Sequence, residues 1–117
     1  MKRDDDYIRE LLVNYEAEGE WLLMMPGDVM GVPIEEWRER YHIELMMDIG
    51  LLTNFGEGTF RLTAAGHDFL DAIREDTNWN RTKAVAAKAG GAGLGLMRDI
   101  ALGYIRQKAV DLGIPLT

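Results

Sequence analysis

The sequence predicts an α+β fold that is mostly α, and three observations carry the prediction. Apolar residues recur at three- and four-residue spacing in several separate segments, the mark of amphipathic helices. Residues 51–55 and 59–62 are strand-favouring runs around Gly56-Glu57-Gly58, a glycine-rich reversal. Glycines close the helical segments at Gly19, Gly50 and Gly113, where a left-handed residue ends a helix without strain. Helix, hairpin, helix is the second half of a winged helix. The expected architecture is therefore a winged-helix-like domain with a small antiparallel hairpin or three-stranded sheet and extra C-terminal helices.

Taken in order, Asp4, Asp5 and Asp6 sit where a helix dipole favours negative charge, and Ile8, Leu11, Leu12 and Tyr15 follow at helical spacing. The first helix is expected over about residues 5–18, with Gly19 as its stop. Residues 21–25, from Trp21 to Met25, form a short apolar run closed by Pro26-Gly27-Asp28, which predicts a brief strand or buried extended segment. Read as a strand, it is a candidate third strand for the hairpin, since two strands alone are marginal in water. Residues 28–33 read as a loop, and Pro33 fits the first position of the central helix. Ile34, Trp37, Tyr41, Leu45 and Ile49 then mark its buried face, and Gly50 its end.

Thr63 is expected to cap a helix running to about Asp76, with Phe69, Leu70 and Ile73 inward, before Thr77 and Asn78 break the chain. Residues 79–88 make a modest Ala-rich helix, residues 90–95 a glycine-rich hinge, and Leu96, Ile100, Tyr104 and Ile105 a last helix ended by Gly113. This gives a body at residues 1–76 and a C-terminal helical extension at 77–117, joined through the glycine-rich hinge within one compact domain. Met24, Met25, Met46 and Met47 read as core residues.

Composition narrows the function classes. There is no cysteine, which removes disulfides, thiolate nucleophiles and cysteine-ligated metals. No signal core follows the N-terminal Lys-Arg pair and no run approaches a membrane span, so a cytoplasmic protein without membrane contact is expected. The net charge of −7 conceals an asymmetry: residues 1–76 carry 7 Lys and Arg against 18 Asp and Glu, and residues 77–117 carry 6 against 2. An acidic body repels phosphate.

Catalytic and ligand motifs are weak. Gly91-x-Gly93-x-Gly95 lacks the Lys-Ser/Thr and preceding strand of a phosphate loop and reads as a linker. His42 and His67 do not match a two-histidine metal helix and read as partly buried rings bonded to backbone or carboxylate, with Asp71 placed to orient His67. No catalytic residue, metal, cofactor or small-molecule substrate is expected, and the chain reads as a non-enzyme.

Duplex recognition is disfavoured at the central helix, where Glu35, Glu36, Glu39, Glu44 and Asp48 outnumber Arg38 and Arg40. The wing's Asn54, Glu57 and Arg61 carry no net charge. If nucleic acid is touched, the candidates are Arg81, Lys83, Lys88, Arg98, Arg106 and Lys108, whose ordinary reading is a solvated helix face or pairing with the acidic body. Tyr104, Ile105 and Leu112 of the last helix are the candidates for a protein interface or homodimer, since a helix outside the core unit must bury its apolar stripe somewhere.

At Tyr41-His42-Ile43, Gly50-Leu51-Leu52 and Leu62-Thr63-x-x-Gly66-His67-Asp68-Phe69-Leu70-Asp71 the chain resembles a domain-of-unknown-function family of phage and prophage genomes, DUF2513. The likeness extends to the Met-Lys-Arg-Asp start, to residues 8–12, and to Trp79 with Lys83. The resemblance implies a winged-helix-like fold and a mobile-element setting, and brings no catalytic or ligand residue. Within its motif, Gly66 permits close approach of helix and sheet, Phe69 and Leu70 plug the core beneath the wing, and His67 bonds nearby backbone.

The expected function is a non-enzymatic protein-interaction or regulatory module of phage or prophage type. One alternative is a transcriptional regulator that binds DNA as a dimer through wing and basic tail. Another is an acidic inhibitor of a host defence or nucleic-acid-binding protein, its carboxylates imitating phosphate.

Overall fold

The computed structural model describes residues 1–27 and 30–115, so Asp28 of the expected loop lies outside the described residues. The elements run α1 (Asp5–Ala17), β1 (Leu23–Met24), α2 (Ile34–Asp48), β2 (Leu52–Asn54), β3 (Thr59–Leu62), α3 (Ala64–Ile73), α4 (Asp76–Lys88) and α5 (Leu94–Asp111). This is a mostly helical α+β chain. It divides into two compact units, Met1–His67 and Asp68–Thr117. The division falls inside α3, upstream of the boundary drawn from the sequence at residues 76 and 77.

In the first unit Asp4 caps α1, its carboxylate accepting the Tyr7 N–H at 3.1 Å. Ile8, Leu11, Leu12 and Tyr15 are buried as the spacing predicts. The helix ends differently from expectation: Glu18 turns extended and donates its N–H to the Tyr15 carbonyl at 3.4 Å, and Gly19 is not among the positive-φ glycines. The sheet is antiparallel in the order β1-β3-β2, with Leu23 opposite Phe60 and Leu52 opposite Leu62. The third strand therefore forms. Along central β3 the buried residues alternate, Phe60 and Leu62 facing the core.

Two expectations about burial fail here. Residues 21–25 are not a buried segment: β1 is an edge strand, and Trp21 is 62% and Met24 85% exposed, so Met24 is not a core methionine. The buried face of α2 is His42, Ile43 and Met46, while Ile34 and Trp37 are exposed and Tyr41, Leu45 and Ile49 only half-buried. That face lies roughly a third of a turn from the predicted one, at about 100° per residue. Apolar residues are spread around the whole of α2, so their spacing did not select a face. Pro33 occupies the N-cap, one position before its expected place.

The close of α2 follows the sequence. Gly50 adopts φ +80°, and the N–H groups of Gly50 and Leu51 bond to the carbonyls of Met47 (3.0 Å) and Met46 (2.9 Å), a Schellman motif. Thr63 then joins strand to helix. Its N–H donates to the Leu51 carbonyl at 3.0 Å, its hydroxyl lies 2.5 Å from the Gly50 carbonyl and 3.0 Å from that of Leu51, and its Oγ1 accepts the Gly66 N–H at 2.9 Å. Gly66 packs so closely that an added Cβ would lie far inside contact distance of the Leu51 oxygen and 3.1 Å from its carbonyl carbon. The expected helix-to-sheet approach is met.

In the second unit Phe69, Leu70 and Ile73 are fully buried, as predicted. Helix α3 stops at Ile73 rather than near Asp76, and Thr77 and Asn78 belong to α4 instead of breaking the chain. The reason is tertiary: buried Asn78 donates its amide to the carbonyl of Ala72, at the end of α3, and to that of Ala101 on α5 at 3.5 Å. Trp79, Thr82 and Ala86 continue the inner face of α4, which packs on α5. Helix α5 starts at Leu94, capped by Gly93, so Gly95 lies within a helix and not in a hinge. Its buried residues are Leu94, Met97 and Ala101, whereas Leu96 is half-exposed.

Candidate functional site

The last turn of α1, the connection to β1, the hairpin and the first turn of α3 surround an open groove of about 620 Å³ in the first unit. Tyr15 and Leu62 form buried parts of its lining. Over it stand Trp21 and Phe55, edge to face with ring centroids 5.2 Å apart. Both rings are open to solvent, Phe55 at 49%. Phe55 is positioned by the turn, because its N–H donates to the Thr59 carbonyl at 3.0 Å and so closes the hairpin. Trp21 lies in the bent connection between α1 and β1.

The groove is edged by acids. Glu16, Glu18 and Glu20 line it, against Arg61 and His67. Arg61 directs its Nη1 to the Leu62 carbonyl at 3.0 Å. His67 is 52% exposed and its Nδ1 lies 3.9 Å from Glu16, not against Asp71, which pairs with Arg74 at 2.9 Å. The expected partner was chosen by helical spacing, but α1 supplies a carboxylate on the same side of α3. Aromatic faces beside carboxylates bind cationic and apolar groups. Sequence reasoning missed this site because Trp21 was assigned to a buried run. Its flanking Glu18-Gly19-Glu20 was the available signal of exposure.

In the same unit polar contacts join α1 to α2. His42 is fully buried, not partly so, and both ring nitrogens are bonded: the Asp4 N–H donates to Nε2 at 2.9 Å, and Nδ1 donates to the Arg38 carbonyl at 2.8 Å. A backbone N–H only donates, so Nε2 is the acceptor and Nδ1 carries the proton. The Tyr7 ring meets His42 edge-on at 4.9 Å, and the Arg38 guanidinium covers Tyr7 while bonding Asp4 at 2.8 Å. Tyr15 donates its hydroxyl to Glu39 at 2.6 Å. Burial, and then the Glu39 bond and charge, push the Tyr15 phenol well above its ordinary range; Tyr7 is also raised, chiefly by burial. With these partners the network is structural in character.

The residues predicted for interfaces lie in the second unit. Tyr104 is half-buried with the Arg81 guanidinium 4.5 Å and the Lys108 ammonium 5.5 Å from its ring centre, so the fold brings together three residues the sequence had assigned to two different roles. Ile105 lines a groove of about 440 Å³ with Leu102, Ala109, Asp68, Asp71 and Arg106. Leu112 is exposed at the C-cap of α5 and is not among the residues lining that groove. Lys83 lies 5.4 Å from the Trp79 ring, Arg98 pairs with Asp99 at 3.3 Å, and Lys88 and Arg106 are exposed.

Among the described residues no group of three or more His, Asp or Glu side chains is placed to hold a metal, and no helix is long and apolar enough to cross a membrane. Fold and site together define a small α+β protein with an open, acid-rimmed aromatic groove. The chain belongs to the family described as "Hypothetical protein (DUF2513)", whose model matches residues 2–92, through α4 but short of α5. It is 30% identical to an uncharacterized protein of Haemophilus influenzae, over 92% of this chain and 98% of the relative. No solved structure matches it.

Proposed function

We propose that this chain is a non-enzymatic protein-interaction module whose docking surface is the groove beneath Trp21 and Phe55. The carrying observation is the aromatic pair itself, two large rings packed on each other yet open to solvent at the mouth of a groove. Contiguous exposed aromatic surface with a polar rim is the signature of a binding site, and aromatic residues are the ones enriched in interface cores. On the winged-helix-like reading, Phe55 stands at the root of the wing and Trp21 beside its outer strand. The phage or prophage setting belongs to this proposal as its biological context.

The transcriptional-regulator alternative draws less support. Arg38 is engaged by Asp4 and Tyr7, and Arg40 by Glu44 at 3.0 Å and the Pro26 carbonyl at 3.3 Å. The first unit carries 6 Lys and Arg against 14 Asp and Glu, and the second, which holds every tail cation, 7 against 6. The acidic-inhibitor alternative uses the same surface with a different partner.

Site-specific photocrosslinking in cells that carry the gene tests the proposal. A benzophenone side chain at position 21 or 55 is expected to give discrete protein adducts that a control at exposed Asn14 does not. An identical pattern at all three positions, or no adduct at 21 and 55, overturns it.

A further inference from the structure

Building on that docking reading, we infer that the groove's occupant is an extended protein segment that presents an arginine beside an aliphatic residue. Three carboxylates, Glu16, Glu18 and Glu20, meet the groove from one stretch of chain, and the unit that carries them has an excess of eight negative charges, 14 acids against 6 bases. Glu16 already faces His67 at 3.9 Å, and a purely apolar occupant would cover Glu18 and Glu20 without bringing them a counter-charge, at a desolvation cost. An anionic occupant, nucleic acid included, would be repelled by the same acids. A cation is what the rim fits.

The aromatic pair makes the cation's identity more specific. Indole offers the strongest cation–π face among the side chains, and Trp21 is the more exposed of the two rings. Guanidinium both stacks on such a ring and forms paired bonds with a carboxylate, whereas ammonium acts as a compact, strongly hydrated charge. Phe55 and Leu62 supply the apolar remainder of the lining, for which an aliphatic neighbour of the arginine is the complement. The volume of about 620 Å³ holds a few side chains. It lies in the range of small-ligand clefts, roughly 300–1,000 Å³, which favours a short extended segment over a helix laid along a long groove.

Selection from a random peptide library displayed on phage tests this inference. The full chain is the bait, and a Trp21→Ala, Phe55→Ala double variant removes peptides that bind elsewhere. The expected winners carry arginine next to Leu, Ile or Val. A synthetic winner should lose about tenfold or more in affinity when its arginine becomes lysine, and again against a Glu18→Gln, Glu20→Gln bait, which also flattens the salt dependence. All four substituted positions are exposed, and circular dichroism checks that the baits stay folded. Winners without a basic residue, equal binding by the glutamine bait, or no enrichment over the double variant would each overturn the inference. Crosslinks at positions 21 and 55 together with non-basic winners would sink the arginine assignment and leave the docking reading standing. Absence of both would sink the docking reading itself.

Discussion

Replacing Gly66 with alanine should destabilise the first unit, although alanine is the better helix former. The Cβ would intrude on the Leu51 carbonyl, backbone that cannot swing aside, and sit 3.1 Å from its carbon and 3.4 Å from its Cα. Relief requires α3 to retreat from β2. That motion strains the Thr63 N–H bond to Leu51 (3.0 Å), the Thr63 hydroxyl's bonding to the Gly50 and Leu51 carbonyls, and the Gly66 N–H bond to Thr63 (2.9 Å). Overpacking costs about 1–3 kcal/mol and each weakened hydrogen bond up to about 1 kcal/mol, against about 1 kcal/mol gained in helix propensity. The net is a loss of roughly 2–3 kcal/mol, read as a urea midpoint lower by about 1–3 M at a slope near 1–2 kcal/mol/M. Gly103→Ala is the control, because a Cβ there meets nothing within 4 Å and the site lies inside α5. It should stabilise by about 0.5–1 kcal/mol. A Gly66→Ala protein as stable as the parent would refute the account of this junction.

Four further outcomes follow from named contacts. Thr63→Ala removes the cap of α3 and should cost about 1–2 kcal/mol by denaturant titration, with serine recovering most of it. Long-range ¹⁵N–¹H spectra should show His42 as the Nδ1–H tautomer, and a proton on Nε2 would contradict the Asp4 bond. Tyr15→Phe should cost about 1–2 kcal/mol near neutrality through the lost Glu39 bond. Because the native phenol keeps its proton above the unfolded value of 10.0, Tyr15 stabilises fully below that pH. Above it the unfolded chain ionises first, so the parent's advantage over Tyr15→Phe should shrink by up to about 1.4 kcal/mol per pH unit, measured by urea titration at pH 9 to 11. Trp21→Ala should change stability by less than about 1 kcal/mol, since the ring is mostly exposed; a larger loss would make Trp21 a core residue.

The groove and the His42 network answer different demands on the same unit. His42 is buried at no unpaired cost because the Asp4 N–H and the Arg38 carbonyl satisfy both nitrogens, which fixes α2 against the start of α1. Trp21 and Phe55 gain no such enclosure and leave their apolar surface to solvent. That exposed aromatic surface is what the docking proposal rests on.

Local chemistry was legible in the sequence. The glycines that end α2 and α5, the Thr63 cap, the close approach at Gly66 and the β2-β3 hairpin depend on backbone preferences and bonds close in the chain that residue types announce. Long-range choice was not. The inner face of α2 was fixed by where Asp4 met His42, the continuation of α4 through Asn78 by carbonyls on α3 and α5, and the partner of His67 by Glu16 on α1. The pairing of Trp21 with Phe55, far apart in the chain, likewise awaited the sheet that brings them to one edge of the groove. Spacing along a chain reports which residues share a face; only packing decides which face is covered, because burial is a property of the neighbour as much as of the residue.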